Sequence, residues 1–255
     1  MSEQNYLSSS EFDAVFANCR RYWLNYGREI KRDGDVTLYR SGVDHSQLNG
    51  VMRIVGEDID ALVQESLLSL AGIPSLWWIG ADSHPAALDE VARHGGKLAR
   101  KVPVYAIRLN ELPTAPIPDE ISIEEVTTES EVLKWIECYA PSMGVAASEI
   151  GKLEQIEDNF EGRARFYRRF AAKVGGRMVG TSAFLESDGV AGIYLCSTAP
   201  EFRRKGIATL LTLRAAQAGL DQGLSLATLQ ASSSGEPVYQ RLGFRKVADY
   251  DVMRF

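Results

Sequence analysis

The chain predicts a mixed α/β (α+β) fold arranged as two domains. Three observations carry this. Strand-like apolar runs alternate with helix-length amphipathic segments in both halves. Gly175-Gly176, set between two apolar runs, marks a β-hairpin. Pro113, Pro116 and Pro118 interrupt the alternation near the middle of the 255 residues, a length that suits two domains. Clustered prolines hold the backbone extended and remove amide donors. Residues 113–119 therefore read as a linker between a domain at 1–112 and one at 120–255. The alternative is a proline-rich ligand for another protein.

In the first half, Ser10 is the expected cap of a helix whose apolar residues fall at Phe12, Val15, Phe16, Cys19, Trp23, Tyr26 and Ile30. Strand-like runs follow at Val36–Tyr39, Gly50–Val55, Leu76–Ile79 and Val102–Leu109. Helical segments lie at Asp58–Ala71 and Pro85–His94. Trp77 and Trp78 alternate across their strand, so one is expected in the core and the other facing a partner domain or ligand.

After the prolines, Ile121–Val126 reads as a strand and Glu129–Tyr139 as a helix, with a polar helical stretch over Ser148–Phe160. Strands are expected at Phe170–Val174, Met178–Leu185 and Ala191–Cys196. A long helix follows over Arg203–Gln222, then a strand at Ser225–Gln230, a short helix at Glu236–Arg241 and a final strand. The order is β-α-α-β-β-β-α-β-α-β. Arginines crowd Glu161–Phe170; this is a solvated face, or a seat for an acidic acceptor or a ribose phosphate.

Composition excludes several classes. Hydrophobic residues at 45% and charged residues at 24% are ordinary for a globular chain. The net charge of −6 divides evenly: residues 1–116 hold 12 basic and 15 acidic side chains, and residues 117–255 hold 16 and 19. Without a basic half, neither nucleic acid nor an anionic membrane is expected as a partner. Three scattered cysteines make no disulfide framework or metal knuckle, and the three histidines lack metal-ligand spacing, so no metal is expected. The amino terminus lacks a signal-peptide pattern and no apolar run is long enough to span a bilayer, so a cytoplasmic protein, monomer or homodimer, is the expectation.

The chemistry concentrates in Thr198-Ala-Pro-Glu-Phe-Arg-Arg-Lys-Gly-Ile-Ala-Thr209. A strand ends, Pro200 stops it, and Arg203–Ala208 opens a helix. The first amides of a helix lack intrahelical acceptors, and its dipole makes that end positive. Gly206 lets a ligand approach the backbone, Ala208 is small, and Arg203, Arg204 and Lys205 add positive charge. A basic first turn is unfavourable at that end unless an anion binds, so a phosphate or pyrophosphate fits the place. A surface helix with a basic turn is the plainer alternative. Neither the G-x-x-x-x-G-K-[ST] nor the G-x-G-x-x-G pattern is present.

Arg203-x-x-Gly206-x-Ala208, followed some thirty residues later by Tyr239-Gln-Arg-Leu-Gly-Phe244, resembles the paired motifs of the GCN5-related N-acetyltransferases (GNAT). The element order from Ile121 to Phe255 resembles that family too. The resemblance implies a mixed central sheet with splayed parallel strands and flanking helices. It implies acetyl-CoA, as the acyl donor, held in a wedge between Ile193–Thr198 and Ser225–Gln230. The pyrophosphate would meet the amides of Arg203, Arg204, Lys205, Gly206, Ile207 and Ala208, and the pantetheine arm the main chain of Cys196, Ser197 and Thr198. Tyr239 would donate a proton or hydrogen bond to the departing thiolate; otherwise it is a core tyrosine. Ser232 and Ser233 stand where an asparagine often contacts pantetheine, a departure from the pattern.

An amine nucleophile must also lose a proton, at a cost of about 4–5 kcal/mol near pH 7. Relatives often place a glutamate on one of the two splayed strands; the corresponding positions here are Gly192 and Ala227. The nearest acids in sequence are Glu186 and Asp188, in a stretch that equally reads as a turn, and an ordered water passing the proton to a backbone carbonyl is a third route. Cys196 is expected to be a small core residue rather than a nucleophile, since no histidine follows residue 94.

The first half echoes the same order and resembles a second, degenerate copy of the fold. Gly56-Glu-Asp-Ile-Asp60 stands in place of the phosphate loop and would repel a pyrophosphate. The reading that follows is acetyl transfer from acetyl-CoA to the amine of a small-molecule acceptor, by direct attack in a ternary complex. Its rival is a non-catalytic acyl-CoA-binding sensor or scaffold module.

Overall fold

A computed structural model describes residues 6–157, 160 and 166–255. The chain divides into two units, one of residues up to Val104 together with Val247–Phe255, the other of Tyr105–Lys246. The division falls inside two long strands, β5 (Lys97–Arg108) and β11 (Arg245–Arg254), and not at the prolines. The reason is packing: Tyr105 and Ile107 of β5 belong to the core of the second unit, whereas Met253 of β11 belongs to that of the first.

The first unit opens with α1 (Ser9–Leu24). Ser8 caps it, not Ser10. The Ser8 hydroxyl accepts from the Glu11 amide while the Glu11 carboxylate accepts from the Ser8 amide, so the Ser-x-x-Glu spacing sets the start. The helix stops at Leu24, and Ile30 instead begins β1 (Ile30–Asp33), a strand that the helical spacing had masked. β2 (Val36–Arg40), β3 (Asn49–Ile54), α2 (Ile59–Ser69), β4 (Leu76–Ile79) and α3 (Ala87–Arg93) follow. β1–β2 and β2–β3 are antiparallel, β3 and β4 are parallel, and Val252 of β11 pairs antiparallel with Trp78. Both tryptophans of β4 are buried, where the sequence expects one to face a partner domain or ligand. Trp77 lies in the core with Ile59 and Val63 of α2 and Val91 of α3, while Trp78 packs on Trp23 of α1 and on Tyr250.

The second unit contains β6 (Ile121–Val126), α4 (Glu129–Met143), α5 (Ile150–Glu157), β7 (Tyr167–Val174), β8 (Arg177–Ser187), β9 (Val190–Thr198), α6 (Ile207–Asp221), β10 (Leu226–Gln230) and α7 (Glu236–Arg241). β6 to β9 form an antiparallel meander. The β7–β8 turn is Gly175-Gly176, both at positive φ, as a tight hairpin requires. β10 runs parallel to β9. The apolar stripe of α6, with Ile207, Leu211 and Ala215, closes over Phe170, Phe184 and Ile193 of the sheet and Leu229 of β10. Near its end a Cβ on Gly219 would stand 2.6 Å from that of Ala191, so helix and strand approach closely only because the residue is glycine. The helix expected from Arg203 begins four residues later, at Ile207.

Candidate functional site

β9 and β10 pair at only two positions, Ala227↔Ala191 and Thr228↔Gly192. β9 continues to Thr198 with no further β10 partner in that register. The divergence coincides with a bulge: the β8–β9 register shifts between Thr181↔Ser197 and Ala183↔Tyr194, and Leu195 takes φ 49°. A bulge bends and twists its strand. The result is a wedge between two parallel strands, open at their carboxyl ends.

The start of α6 faces the same end. Its cap is Gly206 at φ 79°, no side chain among the described residues caps it, and its first turn carries no acid. By contrast Ser8, Asp58 and Thr128 cap α1, α2 and α4. The leading amides of α6 thus lack the acceptor that those helices supply for themselves. Arg204 adopts φ 63° just before, a conformation that costs a non-glycine residue roughly 1–2 kcal/mol. Strained backbone beside uncapped amides is the arrangement of an anion-binding turn.

A cavity of about 600 Å³ joins the two features. Cys196, Ser197 and Thr198 line it from β9; Arg203, Arg204, Gly206, Ile207 and Ala208 from the turn and α6; Ser232 and Tyr239 from α7 and its approach. Among the described residues no acidic side chain lines it, and Arg241 adds a third arginine. The motif Tyr-x-x-Leu leaves the Arg241 position unspecified, so the sequence pattern alone does not mark it.

Tyr239 is buried, and burial pushes its phenol well above the ordinary value. Its hydroxyl contacts the Cys196 thiol, which burial raises to about 11. Both groups are therefore neutral at pH 7: the tyrosine is a proton donor and the cysteine no thiolate. Thr212 completes the group, its hydroxyl 3.7 Å from Cys196 Sγ and donating to the Ala208 carbonyl at 2.8 Å. The helix bearing Tyr239 is fixed by Tyr105. That hydroxyl donates to Glu236 at 2.5 Å and accepts from Gln240 at 3.0 Å, one turn apart on α7.

Other expected residues stand outside the cavity or are engaged at its edge. Lys205 places its ammonium 5.2 Å from the centre of the Phe202 ring and does not line the cavity. The Ser232 hydroxyl accepts from the Gly235 amide at 3.2 Å and so helps turn the chain into α7. Glu186 pairs with Ala191 across the β8–β9 hairpin, five residues from Cys196, or about 16 Å along the strand. Asp188, at φ 55°, belongs to the hairpin turn itself. Neither acid reaches the cavity. Of the arginine-rich stretch, residues 161–165 lie outside the described residues. Arg168 is bound by Glu125 and Arg169 by Glu157, so each already has its counter-ion.

The first unit has a parallel pair followed by a helix, β3–α2–β4, but fills the corresponding places with its own chain. The Asp58 carboxylate accepts from the Ala61 amide at 3.0 Å at the start of α2. At the end of β3 the Ile54 carbonyl accepts from the His84 amide at 2.7 Å, and its amide donates to the Ser83 hydroxyl at 3.4 Å. The histidines are not all isolated: His94 Nε2 lies 2.8 Å from Asp60 and 3.4 Å from Glu90, a group with metal-ligand chemistry. Gln64 also binds Asp60, and Arg93 binds Glu90.

Residues 145–253 match the family model described as an acetyltransferase (GNAT) domain. No curated protein matches the sequence. Among solved structures, a GCN5-related N-acetyltransferase from Kribbella flavida superimposes with a TM-score of 0.73 at 17% identity, over 94% of each chain. One from Sphaerobacter thermophilus gives 0.57 at 22% identity, over 71% of this chain and 59% of its own. A tandem GNAT protein from the clavulanic acid biosynthesis pathway gives 0.60 at 11% identity, over 97% of this chain and 96% of its own. At these identities the structures establish the fold. The family model adds that residues 145–253 are similar in sequence to an acetyltransferase (GNAT) domain.

Proposed function

We propose that the second domain, residues 120–255, transfers the acetyl group of acetyl-CoA to the amine of a small molecule, by direct attack in a ternary complex. The observation that carries this is the uncapped, Gly206-led start of α6 opening into the arginine-lined cavity that also holds Cys196 and Tyr239. The pyrophosphate is assigned to the amides of Arg204–Ala208, with Arg203, Arg204 and Arg241 supplying charge. The pantetheine arm is assigned to the unpaired edge of β9 at Cys196–Thr198. The amine nitrogen attacks the thioester carbon, the carbon–sulfur bond breaks as the tetrahedral intermediate collapses, and the Tyr239 hydroxyl protonates the departing sulfur. With Gly192 and Ala227 unable to take a proton and Glu186 remote, the amine proton leaves to solvent through a water that a backbone carbonyl orients, and the Tyr239 oxygen regains its proton from solvent. No nucleophilic cysteine or metal is part of this route.

The first domain, residues 1–112, is read as a degenerate copy that does not bind coenzyme A, because its own Asp58, Ser83 and His84 occupy the amides and strand edge a coenzyme would use. Residues 113–119 lie within the second unit, ahead of β6. The setting proposed is the cytoplasm, as a monomer or homodimer, with neither nucleic acid nor membrane as partner.

The test is release of free thiol from acetyl-CoA in the presence of a panel of amines. The expected result is turnover with at least one amine and a drop of about 100-fold in kcat for Tyr239→Phe, the scale of a lost general acid. A second reading, an acyl-CoA-binding sensor, is favoured by the missing carboxylate at Gly192 and Ala227. Tight acetyl-CoA binding without turnover across the panel would establish the sensor instead.

A further inference from the structure

α7 spans only six residues, Glu236–Arg241. A helix that short does not hold together on its own hydrogen bonds, so its place is set by what grips it. Tyr105 of β5 supplies such a grip. Its ring is buried in the same core as Tyr239 and Leu242, and its hydroxyl binds α7 at two points. It donates to Glu236 Oε1 at 2.5 Å and accepts from Gln240 Nε2 at 3.0 Å. Positions four apart share one face of a helix, and at about 100° per residue Tyr239 stands on the adjoining face. Holding Glu236 and Gln240 to one point therefore fixes the rotation of α7 about its axis, which is what aims Tyr239.

The main chain of the same tyrosine is tied to the wedge. The Tyr105 carbonyl accepts from the Thr228 hydroxyl at 3.0 Å, and Thr228 forms with Gly192 the pair after which β9 and β10 part. Tyr239 meanwhile touches Cys196, beyond that point on β9. One residue thus links the parting strands to the helix that carries the phenol. Neither Tyr105 nor Glu236 nor Gln240 lines the coenzyme cavity, whereas Pro237, Val238, Tyr239 and Arg241 do. Their influence on the cavity therefore passes through α7. Tyr105 also stands ahead of Pro113 and of the matched residues 145–253.

We infer that Tyr105 is a positioning residue for acetyl transfer: through Glu236 and Gln240 it holds α7 at the rotation that brings the Tyr239 hydroxyl to the departing sulfur. The proton donor of the second unit is thereby set by a strand that precedes the segment resembling the family. Without the Tyr105 hydroxyl α7 is free to turn, and a displacement of about 1 Å at a reacting group costs up to about 100-fold in rate. Coenzyme binding, which rests on β9 and the amides of α6, is largely spared. This inference rests on the acetyltransferase reading above.

Its test is a double-mutant cycle in the full chain, read by thiol release from acetyl-CoA with an amine that wild type turns over. Tyr105→Phe keeps the ring and its packing and removes only the hydroxyl; a thermal melt reports its folding. The expected result is a fall of about tenfold in kcat, with the KM for acetyl-CoA within about threefold of wild type. In a Tyr239→Phe background the same substitution is expected to cost less than about twofold, because the group it positions is already gone. A residue that merely stabilises the unit lowers both backgrounds alike. Glu236, partly exposed on α7, gives an independent arm. Glu236→Ala should reproduce the loss, and Glu236→Gln, which keeps an acceptor oxygen, should restore most of it. That pair decides the matter if Tyr105→Phe does not fold. Wild-type kcat in Tyr105→Phe, equal losses in both backgrounds, a loss in KM alone, or equal losses in Glu236→Ala and Glu236→Gln overturn the inference and leave the enzyme reading intact. Wild-type kcat in Tyr239→Phe removes the role assigned to that phenol, and the inference with it. Absence of thiol release from wild type with every amine overturns both the inference and the enzyme reading.

Discussion

Gly206 offers the most direct perturbation of the anion site. Its φ of 79° is one that a side chain makes unfavourable by about 1–2 kcal/mol. A Cβ built there meets no heavy atom within 4 Å, so alanine adds no clash. Alanine also stiffens the unfolded chain, which offsets about 0.4–1 kcal/mol. The net expectation for Gly206→Ala is a loss of about 0.5–1 kcal/mol, a fall in Tm of roughly 2 °C. Gly206→Glu carries the same strain and adds a carboxylate beside the proposed pyrophosphate. Two like charges about 4 Å apart at an effective dielectric of 20 repel by about 4 kcal/mol. A mobile, hydrated side chain retains roughly half of that, so coenzyme A is expected to bind about 30-fold more weakly. Isothermal titration with coenzyme A reads the affinity and a thermal melt reads the strain. A dissociation constant for Gly206→Glu within threefold of wild type would refute the placement of the pyrophosphate. A loss above about 3 kcal/mol in Gly206→Ala would refute the open space drawn around the residue.

Three further outcomes follow from the geometry. Because the Cys196 thiol is raised to about 11, Cys196→Ala is expected to keep turnover within about fivefold, and mass spectrometry after acetyl-CoA alone should find no acyl-enzyme; an acylated Cys196 would contradict direct attack. Asp58→Ala removes the cap of α2 and should cost about 1 kcal/mol in chemical denaturation, whereas Asp58→Ser should largely restore it. Glu125 is held below its ordinary value first by its hydrogen bond to Arg168, so its contribution is present above about pH 4.5 and lost as pH falls through the lower folded value. Arg168→Met should remove that acid-side dependence from the stability profile and, for a pair this near the surface, cost no more than about 1 kcal/mol.

Local signals were the ones read correctly from the chain. Gly175-Gly176 made a hairpin because positive φ at both positions is a property of the residues themselves. α2, α7 and β6 lie within two residues of their expected bounds, since their periodicity needs no distant partner. Misreadings arose where one local cue competed with another or with packing. Ser10 lost to Ser8 because only Ser8 has a glutamate three residues on. Trp78 was turned inward by α1 and by Tyr250, which is 172 positions away in the chain. Glu186, near Cys196 in number, is carried down a hairpin and away from it.

The sequence by itself determined that a glycine-led helix with arginines before it follows a strand, and that a tyrosine motif comes some thirty residues later. Those are short-range patterns, set by backbone preference and side-chain chemistry. Only the tertiary structure decided that β9 parts from β10 after Gly192, that Tyr239 touches Cys196, and that the first unit closes its own wedge with Asp58, Ser83 and His84. Each of these depends on register and bulge between segments far apart in the chain, and register is fixed by packing of the whole sheet against its helices, not by any residue acting alone.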